Sequence, residues 1–212
     1  LSIDSDLQDQ LMSVEGVAGV SPRIRATGLL GNETQSTVAL IMGIDPEREK
    51  TVTTTSERVV TGRCIGGGGS DDSAREAVLG ANLAQQLGVS LGDELVLLAQ
   101  AVDGSLGNDL VTVVGIAETH NSKLDRSAVW VELNTARQLT ALDQDVHEVV
   151  LRLTDRRELH EAVLALESLL VETPATITRW SDKLAFIIGM MEREAKVLGV
   201  VYFLIYLVAG LG

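Results

Sequence analysis

Residues 88–92 read GVSLG, which matches GxSxG, the nucleophile elbow in which a serine rides a tight turn between a strand and a following helix. Around Ser90 that order is reversed. Leu83, Ala84 and Leu87 fall on one helix face before it, and a strand pattern follows at residues 94–99. Ser90 therefore reads as a surface turn and not as a nucleophile. His120, His147 and His160 are scattered, with no HxxxH or HExxH spacing to set two ligands on one helix face. Asp71 with Asp72, and Asp143 with Asp145, are carboxylate pairs that lack the ligand set of a calcium loop, so they read as solvated turns. The single cysteine, Cys64, permits neither an internal disulfide nor a CxxC site. No GxxxxGK[ST] occurs, so the chain has no P-loop of its own. The expectation is a non-catalytic domain with no metal and no cofactor.

Composition narrows the partners. A formal net charge of -13 repels phosphates and anionic headgroups, which argues against nucleic-acid binding and favours basic or apolar partners. With 45% hydrophobic but only 3% aromatic residues, the 212-residue chain can bury an aliphatic core, as one large domain or two small ones.

The elements that must position any site follow from periodicity. Ser5 caps a short helix carrying Leu7, Leu11 and Val14, and residues 17–30 are extended, with Pro22 marking an edge or bulge. Val38, Leu40, Met42 and Ile44 alternate as a half-buried strand, forming a hairpin with the preceding segment. Residues 47–58 show no clear period and read as a crossing between subdomains. GGGGS at 66–70 is a freely jointed stretch, either a natural loop or a linker. Gly88 suits a left-handed helix cap, and residues 94–99 and 110–117 form a hairpin with its tip at 101–109. A strand at 127–133, a helix at 134–142 capped by Asn134, a strand at 146–153, a helix begun by Asp155 and Glu158, and a last strand at 175–180 complete the soluble part.

From Ser181 onward, Leu184, Ile188, Met191, Ala195 and Leu198 alternate spacings of four and three, giving a stalk helix at 181–196. Residues 197–212, VLGVVYFLIYLVAGLG, carry no charge. Sixteen helical residues rise about 24 Å, against the roughly 30 Å of a bilayer core. This run reads as the start of a transmembrane helix anchored by Val197, Val200, Val201, Phe203, Leu204 and Leu207, with a buried core helix as the alternative. The chain opens at Leu1 without an initiator Met, as if a preceding span lay upstream.

Several segments in this order resemble one family. They are GVAGVSPRI (16–24), MGIDPERE (42–49), VVTGR (59–63), AVLGANLAQQLGVSLGDELVL (77–97), VVGI (113–116), LDRSAVWVELNTARQL (124–139) and the closing run at 177–210. The set resembles the MacB-like periplasmic core domain of ABC-transporter permeases of the FtsX/LolC/LolE type, and its end looks most like the lipoprotein-releasing branch. The resemblance implies an α+β fold: a porter-like α/β subdomain from residues 1–46 and 146–180, with a β-rich sabre-like subdomain inserted at 47–145. It also implies a place on the extracytoplasmic side of the inner membrane, and an ABC ATPase on a separate subunit or domain. A second permease subunit, in a homo- or heterodimer, and an extracytoplasmic carrier or adaptor are the further partners implied. The implied role is transmission of ATP-driven motion, in lipoprotein release or MacB-like efflux. The alternative is an FtsX-like domain that activates a cell-wall hydrolase. One departure is that the hairpin at 100–109 is short where the lipoprotein-releasing branch carries an extended hook.

The expected docking point is that hairpin's tip, Val102, Asp103, Gly104, Ser105, Leu106 and Gly107, because its composition keeps it exposed while it presents two apolar side chains.

Overall fold

A computed structural model describes residues 5–67, 75–171, 173–180 and 182, and divides the chain into two units, Leu1–Thr173 and Pro174–Gly212. The first unit mixes α-helices with one multi-stranded sheet. Its strands are β1 (Val17–Gly31), β2 (Ser36–Ile44), β3 (Val59–Gly62), β4 (Glu76–Gly80), β5 (Glu94–Gln100), β6 (Leu106–Ala117), β7 (Ala128–Glu132) and β8 (Glu148–Leu153). Its α-helices are α1 (Ser5–Ser13), α2 (Pro46–Val52), α3 (Ala81–Leu87), α4 (Ser122–Ser127), α5 (Leu133–Thr140) and α6 (Leu159–Leu169).

Six strands close on themselves in the order β1, β2, β7, β4, β6, β5 and back to β1. The β2–β7 and β4–β6 pairs are parallel and the others antiparallel. Closure is possible because β1 is long enough to serve two partners along one edge. Its Val17–Arg23 half pairs with β8, and Gly28–Gly31 pairs with β5, while Arg23–Gly31 pairs with β2. Pro22 lies one residue outside the β2 ladder, so the strand runs through it without a break.

Alternation fills the interior. Ile24, Leu30, Ile41, Leu79, Leu95, Leu97, Val111, Val113, Val129 and Val131 are fully buried, and α3 and α5 add Leu83, Leu87, Ala136 and Leu139 to the same cluster. A second cluster, with Met42, Ile44, Ile65, Val78, Ala128 and Trp130, forms on the outer side of the sheet.

The ring contains a topological two-fold. Each half is a hairpin whose second strand pairs in parallel with a short buried strand, and that strand leads directly into a helix. One half is β1, β2, β7 and α5, and the other is β5, β6, β4 and α3. The two short strands cross at the Val78–Trp130 rung.

Several expectations are corrected. Residues 47–58 hold α2, which Asp45 caps by accepting from the Glu47 and Arg48 N–H groups, with Pro46 in the first turn. The helix α5 begins at Leu133, so Asn134 is inside it and not its cap. Asp155 caps a 3-10 turn that leads into α6. Residues 175–179 form no strand, because alternation favours extended backbone but a strand also needs an edge to pair with. The sheet itself links distant parts of the chain: β1 and β2 take rungs from β5, β7 and β8. Strands of the expected porter-like and sabre-like parts thus belong to one sheet.

In the second unit, the Asp182 N–H donates to the Arg179 carbonyl (3.1 Å) as a helical turn opens. The stalk beyond Asp182 and all the named anchor residues, Val197 to Leu207, lie outside the described residues. Among the described residues no helix is long and apolar enough to cross a membrane.

Candidate functional site

The expected tip is narrower than its sequence range. Leu106 and Gly107 already belong to β6, opposite Gln100 and Ala99, which leaves residues 101–105 as the turn. Its geometry is fixed from within. The Ala101 N–H donates to the Ser105 carbonyl (2.9 Å), and the Gly104 N–H to the Ala101 carbonyl (3.0 Å). Gly104 sits at φ +85, a conformation that glycine adopts without a side-chain clash. Asp103 Oδ1 accepts from the Ser105 hydroxyl (2.6 Å) and N–H (2.9 Å). The Ser105 hydroxyl, then its N–H, hold the Asp103 carboxyl below the usual range.

The turn is also clamped from outside. The Val102 N–H donates to the Thr140 carbonyl at the end of α5 (3.1 Å), and Ala101 is buried. Gly107 passes so close to Leu139 that a Cβ there would overlap the Leu139 carbonyl. Of its apolar side chains, Val102 is 64% exposed and Leu106, at the start of β6, 77% exposed. The arrangement can offer two apolar side chains on an ordered loop.

The other sequence candidates do not converge. Ser90 is exposed between α3 and β5, and its N–H donates to Asp93 Oδ2 (2.8 Å) as part of the turn. His147 Nδ1 accepts from the Arg25 N–H (3.1 Å), His120 approaches Arg58, and His160 is exposed on α6. Asp71 and Asp72 lie outside the described residues. Among the described residues no group of three His, Cys, Asp or Glu could hold a metal. The Cys64 thiol donates to the Ser56 carbonyl (3.2 Å), and burial pushes its pKa up despite the nearby Lys50.

Two ion-pair clusters were not legible in the sequence. In the first, Glu49 of α2 accepts from Arg23 Nη2 (2.5 Å), Arg23 Nε (3.1 Å), the Ser21 hydroxyl (2.9 Å) and the Thr53 hydroxyl (2.8 Å). Burial raises the Glu49 pKa, but Arg23, Thr53 and Ser21 together outweigh it and hold the carboxyl below its usual value. Arg23 also reaches Glu148 of β8 (3.5 Å), so one guanidinium ties β1, α2 and β8. In the second, Glu76 at the head of β4 pairs with Arg63 through both oxygens (2.5 and 2.8 Å) and accepts from the Gly66 N–H (2.9 Å). The Arg63 hydrogen bond, opposed by burial and helped by Gly66, lowers the Glu76 pKa. Partners 26 and 13 residues apart leave no periodic signal.

Comparison with known proteins gives the assignment. No curated protein matches the chain. The extracellular domain of the ABC-type transporter YknZ from Gram-positive bacteria superposes with a TM-score of 0.60 at 17% identity, over 82% of this chain and 86% of that one. The periplasmic region of MacB from Actinobacillus actinomycetemcomitans gives 0.62 at 14% identity, over 89% and 84%. Both likenesses are of fold. The family model for the MacB-like periplasmic core domain matches residues 2–169, from before α1 to the end of α6. The chain therefore belongs to the MacB-like periplasmic core domain family, the extracytoplasmic domains of ABC-transporter permeases.

Proposed function

We propose that this domain passes ATP-driven motion of a membrane permease to an extracytoplasmic partner, in lipoprotein release or MacB-like efflux, with docking at Val102–Leu106. The supporting observation is that a domain of this family presents exposed Val102, on a turn fixed to α5, beside exposed Leu106 at the start of β6. A loop held on a rigid scaffold keeps its binding groups in place when the scaffold moves. We read residues 1–46 and 146–180 as the porter-like part and 47–145 as the sabre-like part. Because β1 pairs with β8 and with β5, displacement of one part reaches the other through backbone hydrogen bonds.

In this reading the ATPase sits on a separate subunit or domain, a second permease subunit completes the dimer, and residues 197–212 begin the membrane anchor on the inner membrane. The FtsX-like alternative, activation of a cell-wall hydrolase, is favoured by the short β5–β6 connection, which lacks the reach of a hook. The test is Val102→Ser with Leu106→Ser in the intact transporter. Transport or partner capture is expected to fall several-fold while ATPase rate and Tm stay unchanged. Transport and hydrolase activation both unchanged at equal expression overturn docking at the turn. Loss of hydrolase activation without loss of transport selects the FtsX-like reading.

A further inference from the structure

The outward face of four neighbouring strands carries an uncharged apolar surface. The registers align Ser36, Gly31, Val96 and Leu110 in one row across β2, β1, β5 and β6, and Val38, Leu29, Leu98 and Asn108 in the next. Leu106 continues the same face along β6, two residues beyond Asn108. These side chains point away from the core, since their sequence neighbours Leu30, Leu95, Leu97 and Val111 are fully buried. Val38 is 60% exposed, Leu29 45%, Val96 44% and Leu110 41%. The water-facing side of an antiparallel sheet ordinarily carries polar residues, and contiguous exposed apolar surface marks a contact.

The border of this face is acidic. Glu94 lies two residues before Val96 on the same side of β5, Glu33 is in the β1–β2 turn, and Asp103 is in the β5–β6 turn. All three are exposed, and none forms an ion pair with a cation among the described residues. A second copy of the chain would bring the same carboxylates against these, on top of a net charge of -13 on each molecule. Anionic headgroups would be repelled for the same reason.

We propose that the outer face of β2, β1, β5 and β6 docks a partner-protein segment that presents apolar side chains flanked by Lys or Arg. Apolar contact at Leu29, Val38, Val96 and Leu110 supplies the binding, and Glu33, Glu94 and Asp103 select the basic flanks. This rests on the reading of the domain as one that engages an extracytoplasmic partner, and it assigns that partner's chemistry and a surface that runs from the β5–β6 turn across the outer face of β5, β1 and β2.

The test uses two synthetic peptides of equal length, alternating Val with Lys or Val with Glu, titrated onto the chain and followed by amide chemical shifts. The Val/Lys peptide is expected to shift residues 29, 38, 96 and 110 and to weaken as salt rises, and the Val/Glu peptide to leave them unmoved. Leu29→Ser with Val96→Ser should weaken binding about tenfold, as loss of central apolar contacts does. The triple variant Glu33→Gln, Glu94→Gln, Asp103→Asn keeps the apolar face and should remove most of the salt dependence, so the outcome does not hang on one variant's folding. Equal binding of both peptides, or Val/Lys binding unchanged in Leu29→Ser with Val96→Ser, overturns the proposal. So does concentration-dependent dimerisation of the unmodified chain that Leu29→Ser with Val96→Ser abolishes, since the face then belongs to a second copy. Binding is read without transport, so failure here is separable from failure of the Val102 and Leu106 test.

Discussion

The two strand–helix units of the barrel, β4 with α3 and β7 with α5, have the same topology and end differently. In each, a buried strand enters its helix without a loop, and each helix stops on a residue in the left-handed conformation. After α3 that residue is Gly88 at φ 63, with open space around it, and the chain goes on into the solvent turn that holds Ser90. After α5 it is Ala141 at φ 52, and the preceding carbonyl, that of Thr140, receives the Val102 N–H. The strand heads differ as well. By the Val78–Trp130 rung, Glu76 in one unit corresponds to Ala128 in the other, so one begins on an ion-paired carboxylate and the other on a buried methyl. A shared topology fixes the core positions, while the ends are free to take up local work.

The largest test of that equivalence lies in the core. Leu83→Ala and Leu139→Ala each remove a buried side chain from the same cluster and should each cost about 2–5 kcal/mol in chemical denaturation. A loss below about 1 kcal/mol at either would show that one helix does not close the barrel.

Next comes the strand head. Glu76→Gln should cost about 1–3 kcal/mol at neutral pH, because it removes a charged partner from Arg63 and Gly66. The sign with pH follows from the lowered Glu76 pKa. The stabilisation is fully present above the ordinary carboxylate value, about 4.3, and is lost as pH falls below it through the depressed folded value. The unmodified chain should therefore lose stability more steeply below about pH 4.3 than Glu76→Gln, and equal slopes would remove Glu76 from the account.

The helix ends should respond in opposite directions. Gly88→Ala should destabilise by about 1 kcal/mol, and Ala141→Gly should stabilise by about 0.5–1 kcal/mol, because only Ala carries a Cβ into the left-handed region. Changes of the same sign in Tm would break the comparison of the two caps. Smallest of all, Ser90→Ala should stay within about 0.5 kcal/mol and alter no measured activity, as expected of a surface turn.

Local pattern made much of this fold legible in the sequence. Alternation at Val38, Leu40, Met42 and Ile44 marks β2, the Gly88 stop marks the end of α3, and both hairpins follow from short turns between alternating strands. The helix α2 stayed hidden because its buried residue is Glu49, a carboxylate held by Arg23, so no apolar stripe appears. Ring closure stayed hidden for another reason: β2 pairs in parallel with β7, more than eighty residues away, and no local period encodes a partner at that distance. The exposed tip was legible in Val102 and Leu106, but the Thr140 contact that holds it was not, since it joins the backbones of two elements.

The β1–β8 ladder decides how the domain answers a pull on its two ends. The chain enters the sheet at Val17 and α6 follows β8 after Leu153, and these two residues form the outermost rung of one antiparallel pair. Tension across them opens the ladder as a zipper, one rung at a time from Val17 towards Arg23, and does not shear the rungs together. The peeling front then meets Arg23, which grips Glu49 and Glu148 where β2 begins to pair. Up to that residue the ladder yields in small steps under load, and beyond it the force reaches strands that belong to the closed ring.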